Sequence, residues 1–333
     1  MPKYPKQNYI GNKEKIAQWI CENIPQDVYV FFDAFSGGAS VSYAAKNKGL
    51  SVISNDIMLV NYNIAKALIE NNEETLTTQD LDVIFKGTPI EGFMYKNYSN
   101  KYYFPEECRE LDLYNNNIQL LSTPYKKALA YTVLRRAMIR KMPYSRFTVP
   151  WKQIVLLRDE EYSYKKYKRK RAYHNLSFKE HFKKELKSYN DAVFKTDAIC
   201  KVYNSDIFDL IDKVDADLIY LDPPYTGTMN NYFGFYGVID EMLQNKKLKP
   251  FENNFVEKKS ALSLFEQLFS RLRKYRYWML SYNNSSYPTK EQLLSLLSRY
   301  SSKVKVLEQE HAYQITGKEN KNKNIEYLFI AEV

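Results

Sequence analysis

Leu218-Ile219-Tyr220-Leu221-Asp222-Pro223-Pro224-Tyr225 is a short apolar run that ends in an acid, two prolines and an aromatic ring. The first four residues read as a buried strand. Each proline lacks an N–H and pushes its predecessor out of the helical region, so the strand stops abruptly. A carboxylate and a phenol ring are thereby held at the carboxyl end of a strand, which is where ligands bind in open α/β sheets. Taken alone, the tetrapeptide reads equally well as a turn in which Asp222 caps a loop and Tyr225 fills the core.

Working outward, Val28-Tyr29-Val30-Phe31-Phe32-Asp33-Ala34-Phe35-Ser36-Gly37-Gly38-Ala39-Ser40 is a strand, a glycine turn and a helix start. That helix, over about 39–48, is expected to end at Gly49 as a C-cap. Val52-Ile53-Ser54-Asn55-Asp56 is a second strand ending in an acid, and such a carboxylate can accept both hydroxyls of a ribose. The full Gly-x-Gly-x-x-Gly phosphate cradle is missing, so a nucleoside without phosphate fits better than a dinucleotide. A third strand over 199–203 leads to Asp206, an acceptor for a purine amino group that also reads as a helix N-cap. The chemistry suited to the Asp222 corner is activation of an exocyclic amine, whose lone pair is delocalised into its ring. Asp222 and the carbonyl of Pro223 are both acceptors; they can take the two amine hydrogens and draw the nitrogen toward tetrahedral geometry. Pro223 and Pro224 fix that backbone in advance, and Tyr225 offers a face on which an extruded base stacks.

Together these residues resemble the Dam-like (D12, α-group) family of S-adenosylmethionine-dependent DNA adenine-N6 methyltransferases. The parts arrive in the family's order: Asn8-Tyr9-Ile10-Gly11-Asn12-Lys13, the Asp33 to Gly38 turn, Asp56, an inserted region, and Asp222 to Tyr225. Ala34 stands where the family usually has proline, but the acid and the glycines are kept. The resemblance implies an α/β, Rossmann-like S-adenosylmethionine-dependent methyltransferase sheet with an inserted, mostly helical target-recognition domain. Residues 1–60 and 195–333 would form the catalytic domain and 61–194 the insertion.

The implied cofactor is S-adenosylmethionine, with Tyr9, Lys13, Asp33, Phe35, Gly37, Asp56, Asp206 and Ile207 as its contacts. Tyr9 and Lys13 would lie over the methionine end, Asp33 near its amino group and sulfonium, and Asp206 at the adenine, with Ile207 or Phe208 beside the ring. Asp222, Pro223, Pro224 and Tyr225 would be the catalytic set, acting on adenine N6 in double-stranded DNA after base flipping. The implied setting is a restriction-modification system with a cognate endonuclease as partner. Cytosine-N4 methylation uses the same kind of amine and a similar tetrapeptide, and Asp rather than Ser at its head favours adenine. Methylation of structured RNA would need a different insertion. A basic DNA-binding module with an inert nucleotide fold is the reading from another class. It gives no physical reason for acids at four strand ends, Asp33, Asp56, Asp206 and Asp222.

Composition agrees with a polyanionic partner. The 333 residues carry a formal net charge of +10 and 30 tyrosines, many set among Lys and Arg. Cys21, Cys108 and Cys200 lack paired spacing, which argues against a disulfide framework or a metal site. With no long apolar run and no cleavable signal, a soluble, DNA-associated cytoplasmic protein of a prokaryote or phage is expected, as a monomer without membrane contact. Within 61–194, Ile64 and Leu68 mark an amphipathic helix, and the Gly-, Asn- and Tyr-rich stretch 89–105 predicts a mobile loop. An apolar helix over 128–139 runs through Arg136 into Arg140 and Lys141, then into a Pro-framed loop with Tyr144, Arg146 and Phe147. These are the candidates for base reading and wedging. Lys168, Arg169 and Lys170, within the basic cluster 165–171, are candidates for phosphate contact. His174 and His181 read as polar surface residues or phosphate contacts. Residues 226–234 read as a lid beside Tyr225. Further on come an amphipathic helix over 261–273, a strand over 275–282, a Thr289/Gln292 capping box, and an antiparallel closing pair at 303–307 and 326–330.

Overall fold

β1 (Val30–Asp33) and β4 (Leu218–Leu221) are short apolar runs lying side by side in parallel, with Asp33 opposite Tyr220. A computed structural model describes residues 2–168, 174–224, 226, 231–250, 254–310 and 324–333. The remaining strands are β2 (Ser51–Asn55), β3 (Cys200–Tyr203), β5 (Tyr277–Asn283), β6 (Lys303–Glu310) and β7 (Ile325–Glu332). Among the described residues they make one seven-stranded sheet in the order β3-β2-β1-β4-β5-β7-β6. β7 runs antiparallel between β5 and β6, and the other neighbouring pairs are parallel.

That order reverses direction between β1 and β4. The crevice at such a switch point is where this class of sheet binds ligands. The burial pattern follows strand position. All residues of β4 and β5 are buried, whereas the edge strands β3 and β6 alternate between exposed and partly buried. One face of the sheet contributes Phe32, Ile219, Leu221, Trp278, Leu280 and Phe329 to an apolar core that also takes Phe265 and Phe269 from the helix Ala261–Ser270. After the glycine turn, the helix Ser40–Asn47 closes at Gly49, whose φ of +88° is the left-handed conformation expected of a C-cap. The Thr289/Gln292 capping box is present, and the closing antiparallel pair forms with longer strands than the sequence suggested.

The chain divides into two compact units. The sheet unit holds Tyr9–Ile57, Thr196–Asn230 and Phe251–Val333; the helical unit holds Met1–Asn8, Met58–Lys195 and Asn231–Pro250. The expected insertion 61–194 therefore lacks two segments of the helical unit. One is the N-terminal strand of sequence before Tyr9: Gln7 is buried, with its main-chain carbonyl accepting from Arg135 Nη1 at 2.9 Å. The other contains the helix Tyr232–Gln244, whose Asp240 caps the helix Leu59–Ala65 by accepting from the N–H groups of Leu59 (2.9 Å) and Val60 (2.7 Å). Neither contact is local in sequence, so periodicity could not assign these segments. In place of a mobile loop, 89–105 contains the helix Phe93–Tyr98. Asp112, far along the chain, accepts from Gly92, Met94 and Tyr95 N–H groups at 2.8–3.0 Å and so supplies the cap that the local sequence lacks. No helix among the described residues is long and apolar enough to cross a membrane.

Candidate active site

β4 ends at Leu221, and Asp222 follows with its side chain 17% exposed. Its Oδ1 accepts from Lys13 Nζ at 2.9 Å, and the same nitrogen lies 3.3 Å from Oε1 of Glu326 on β7. Lys13 is 3% exposed and Glu326 fully buried. Alongside, the Tyr220 hydroxyl donates to Ser281 Oγ on β5 at 2.7 Å. Just past the corner, Thr226 Oγ1 donates to the carbonyl of Tyr287 at 2.6 Å and accepts from its N–H at 2.9 Å. Pro223 is buried and Pro224 partly buried. Tyr225 and the expected lid residues 227–230 lie outside the described residues.

The ends of β1 and β2 form the second half of the site. Asp33 is buried, and its Oδ2 accepts from Ser42 Oγ at 2.6 Å, which in turn accepts from Ser54 Oγ at 2.6 Å. Burial pushes the Asp33 carboxyl up to about 7; Ser42 and the backbone N–H of Phe35 oppose the shift, and the negative charges of Asp222 and Asp56 add to it. Its Oδ1 has no hydrogen-bond partner among the described residues. The Asp56 carboxylate accepts from the N–H of Gly37 at 2.8 Å. Gly37 adopts φ +51°, and a Cβ there would stand 3.0 Å from Cε1 of Tyr9, so this residue is required both by conformation and by the ring lying against it. Asn55 ties the neighbouring strand ends together, donating to the carbonyls of Ala34 (3.2 Å) and Ser205 (3.1 Å).

At the end of β3, Asp206 caps the helix Ile207–Leu210 by accepting from Phe208 N–H at 2.9 Å. Ile207 is 4% exposed and belongs to the apolar core, which corrects its expected place beside a purine. Phe208 is the partly exposed neighbour, its ring parallel to Phe255 at 6.4 Å, while Phe35 meets Phe255 edge-on at 5.7 Å. The sheet unit thus brings Tyr9, Gly37 and Asp56 together and sets Asp33 between Asp56 and Asp222. Lys13 is directed at Asp222 and Glu326. Glu326, Ser42, Ser281 and Asn55 escaped the sequence reading. For Glu326 a signal existed: with period two it shares the inward face of β7 with buried Leu328, an odd place for an acid.

In the helical unit, several expected DNA contacts are interior residues. The helix Pro124–Lys141 is buried nearly all round from Ala128 onward. Arg136 is 1% exposed and pairs with Glu185 at 3.3 Å; Lys141 is 2% exposed and pairs with Glu107 at 2.8 Å. Both are therefore corrected from DNA contacts to internal ion pairs. His174 and His181 are also buried: His174 Nδ1 lies 2.9 Å from the Arg140 carbonyl, and Arg140 Nε donates to His181 Nδ1 at 3.3 Å. Phe147 packs inward against Tyr102 and Tyr103. What the unit presents outward is Tyr144, 51% exposed, with the guanidinium of a partly buried Arg146 5.9 Å from its ring centroid; Arg140 is 30% exposed and lies 3.6 Å from Glu185. Tyr144 and Ser145 both hold positive φ, +59° and +58°, a strained pair in a surface loop. Lys168 is exposed at the end of the helix Glu160–Tyr167; Arg169 and Lys170 lie outside the described residues.

Among the described residues no cluster of three or more His, Cys, Asp or Glu side chains is arranged to hold a metal. The buried Asp33 carboxyl, with an Oδ1 that no side chain among the described residues satisfies, fits a ligand that brings a positive charge.

Known proteins resemble this chain over most of its length. A family model described as D12 class N6 adenine-specific DNA methyltransferase matches residues 9–295. Type II methyltransferase M2.HphI of Haemophilus parahaemolyticus is 57% identical over 331 residues, 99% of this chain and 98% of its own. Type II methyltransferase M.CviAII of Paramecium bursaria Chlorella virus 1 is 25% identical, covering 98% of both chains. Type II methyltransferase M.FokI of Planomicrobium okeanokoites is 26% identical over 88% of this chain and 47% of its own.

Proposed function

The chain belongs to the D12 class of N6 adenine-specific DNA methyltransferases, and from that premise we propose that Asp222 and Pro223 receive the adenine amine while Asp33 and its neighbours hold S-adenosylmethionine. The observation that carries this reading is the switch point itself: Asp33 and Asp222 leave adjacent parallel strands at the same end of the sheet. When bound, S-adenosylmethionine supplies a methyl group on a sulfonium, an electrophile that an amine can attack directly. Asp33 would ionise toward the cationic amino-acid end, with Tyr9 and Gly37 beside it. Asp56 would take the ribose hydroxyls and Asp206 the cofactor's adenine, with Phe208 bordering the ring in place of Ile207.

Asp222 would accept one hydrogen of the target amine and the Pro223 carbonyl the other, which localises the nitrogen lone pair. Both acceptors are fixed before the base arrives, Asp222 by Lys13 and Pro223 by its own ring and the proline after it. Tyr225 would stack on a base flipped out of double-stranded DNA. Tyr144, Arg146, Arg140 and Lys168 are the outward groups suited to DNA, with Arg169 and Lys170 continuing the basic run. The names of its relatives support a place in a restriction-modification system beside an endonuclease of the same specificity. Incubating plasmid DNA with the protein and S-adenosylmethionine, then separating the nucleosides by mass, tests the reading. N6-methyladenine at one short sequence is the expected product; N4-methylcytosine, or no methylated base, would overturn it.

A further inference from the structure

We infer that Glu326, on β7, is a positioning residue for methyl transfer: it holds Lys13 and, through Lys13, sets the place of the Asp222 carboxylate. The inference rests on the reading of Asp222 as acceptor of the target amine. Three charged groups from distant parts of the chain converge here, with Lys13 Nζ 2.9 Å from Asp222 and 3.3 Å from Glu326. Glu326 is fully buried and Lys13 nearly so, whereas Asp222 stands at the partly open edge of the cluster. Stability is a poor reason for such an arrangement, because a buried ion pair usually gains little over apolar residues of the same volume. A function at the open end is a better one.

The geometry gives Glu326 a specific task. It sits in the ladder of β7, in register with Asn283 of β5, and its side chain is fully buried, so its carboxylate has little room to move. Lys13 has a flexible four-carbon stem and lies outside any strand or regular helix. A lysine pulled from one side by a rigid carboxylate can hold Asp222 Oδ1 in one place.

The test uses the full chain with duplex DNA and S-adenosylmethionine. Glu326→Gln is expected to lower kcat by about 10- to 100-fold, the cost of a small misplacement at a reacting centre, with KM for cofactor and for DNA within about threefold of wild type. Lys13→Met should lower kcat at least as far. Because Glu326 acts through Lys13, adding Glu326→Gln to Lys13→Met should cost nothing further in kcat. Glu326→Asp keeps the charge but withdraws it by one methylene, and is expected to show a smaller kcat loss with unchanged KM; it decides the matter should the Gln variant not fold. Wild-type kcat in either single Glu326 variant, or losses that multiply in the double variant, would overturn the inference. Full turnover by Asp222→Ala would instead remove the reading on which it rests.

Discussion

In the helical unit, Glu107 receives both terminal guanidinium nitrogens of Arg158, at 2.7 and 2.8 Å, and lies 2.8 Å from Lys141. In the sheet unit, one lysine serves two carboxylates, and buried Asp33 keeps an oxygen with no hydrogen-bond partner among the described residues. Both regions bury charge near a segment that the sequence marks as functional. The first saturates its carboxylate with cations, which is how a structure stabilises a buried ion. The second shares one lysine between two carboxylates at the carboxyl ends of the strands, where this class of sheet binds ligands. The proposed site and the scaffold thus differ in how their buried carboxylates are partnered.

Breaking the saturated cluster should produce the largest effect on the fold. Glu107→Ala strands Arg158 and Lys141 without their carboxylate and is expected to cost about 3–5 kcal/mol of stability, read by urea unfolding. A loss under about 1 kcal/mol would mean that the cluster is not structural.

The pH dependence of cofactor binding sharpens the other side of the comparison. A buried acid pushed up to about 7 is protonated in the free protein below that pH. Its ionised form is favoured by a bound cation, so binding releases a proton, and affinity should fall by up to about tenfold per pH unit as pH drops below 7. The sign for folding is opposite: ionised Asp33 costs the free protein stability, and that cost grows as pH rises from about 4 toward 7. Calorimetric titration with S-adenosylmethionine between pH 5.5 and 8 measures the first effect. Asp33→Asn should flatten it, and a flat wild-type profile would deny Asp33 its role.

The smallest effects belong to the outward cations. Arg146→Ala and Lys168→Ala should each weaken DNA binding severalfold and reduce the slope of log affinity against log salt by about 1. Lys141→Met should leave that slope unchanged, because its ammonium is spent on Glu107. A slope that drops for Lys141 and not for Lys168 would reverse the assignment.

The parts of the molecule legible in the sequence were those where chain direction is fixed locally. Strand, proline and acid at 221–224, and strand, glycine turn and helix at 30–47, each specify where a side chain must go. The candidate site residues Asp33, Gly37, Asp56 and Asp222 lie on such patterns, although the roles expected of Asp33 and Gly37 came from the family resemblance. Helical periodicity carried less information. The helix Pro124–Lys141 is buried around most of its circumference, so its arginines and lysine had no polar face to occupy, and a long cationic stem reads the same whether its end meets solvent or a buried glutamate. The choice between Ile207 and Phe208 stayed open for a similar reason: one residue's shift in a helix start decides which side chain is buried and which is partly exposed. Glu326, Asp112 and Asp240 act on residues far away in the chain, and no local pattern announces such partners.

The most direct test of the account is single-turnover methylation of duplex DNA by Asp222→Ala, with enzyme in excess and cofactor binding measured on the same sample. Transfer should fall by about 1000-fold or more while S-adenosylmethionine and DNA still bind, since the variant loses an acceptor for the amine and keeps the Asp33 half of the site. Transfer within about tenfold of wild type would contradict the central claim that this strand end carries the chemistry.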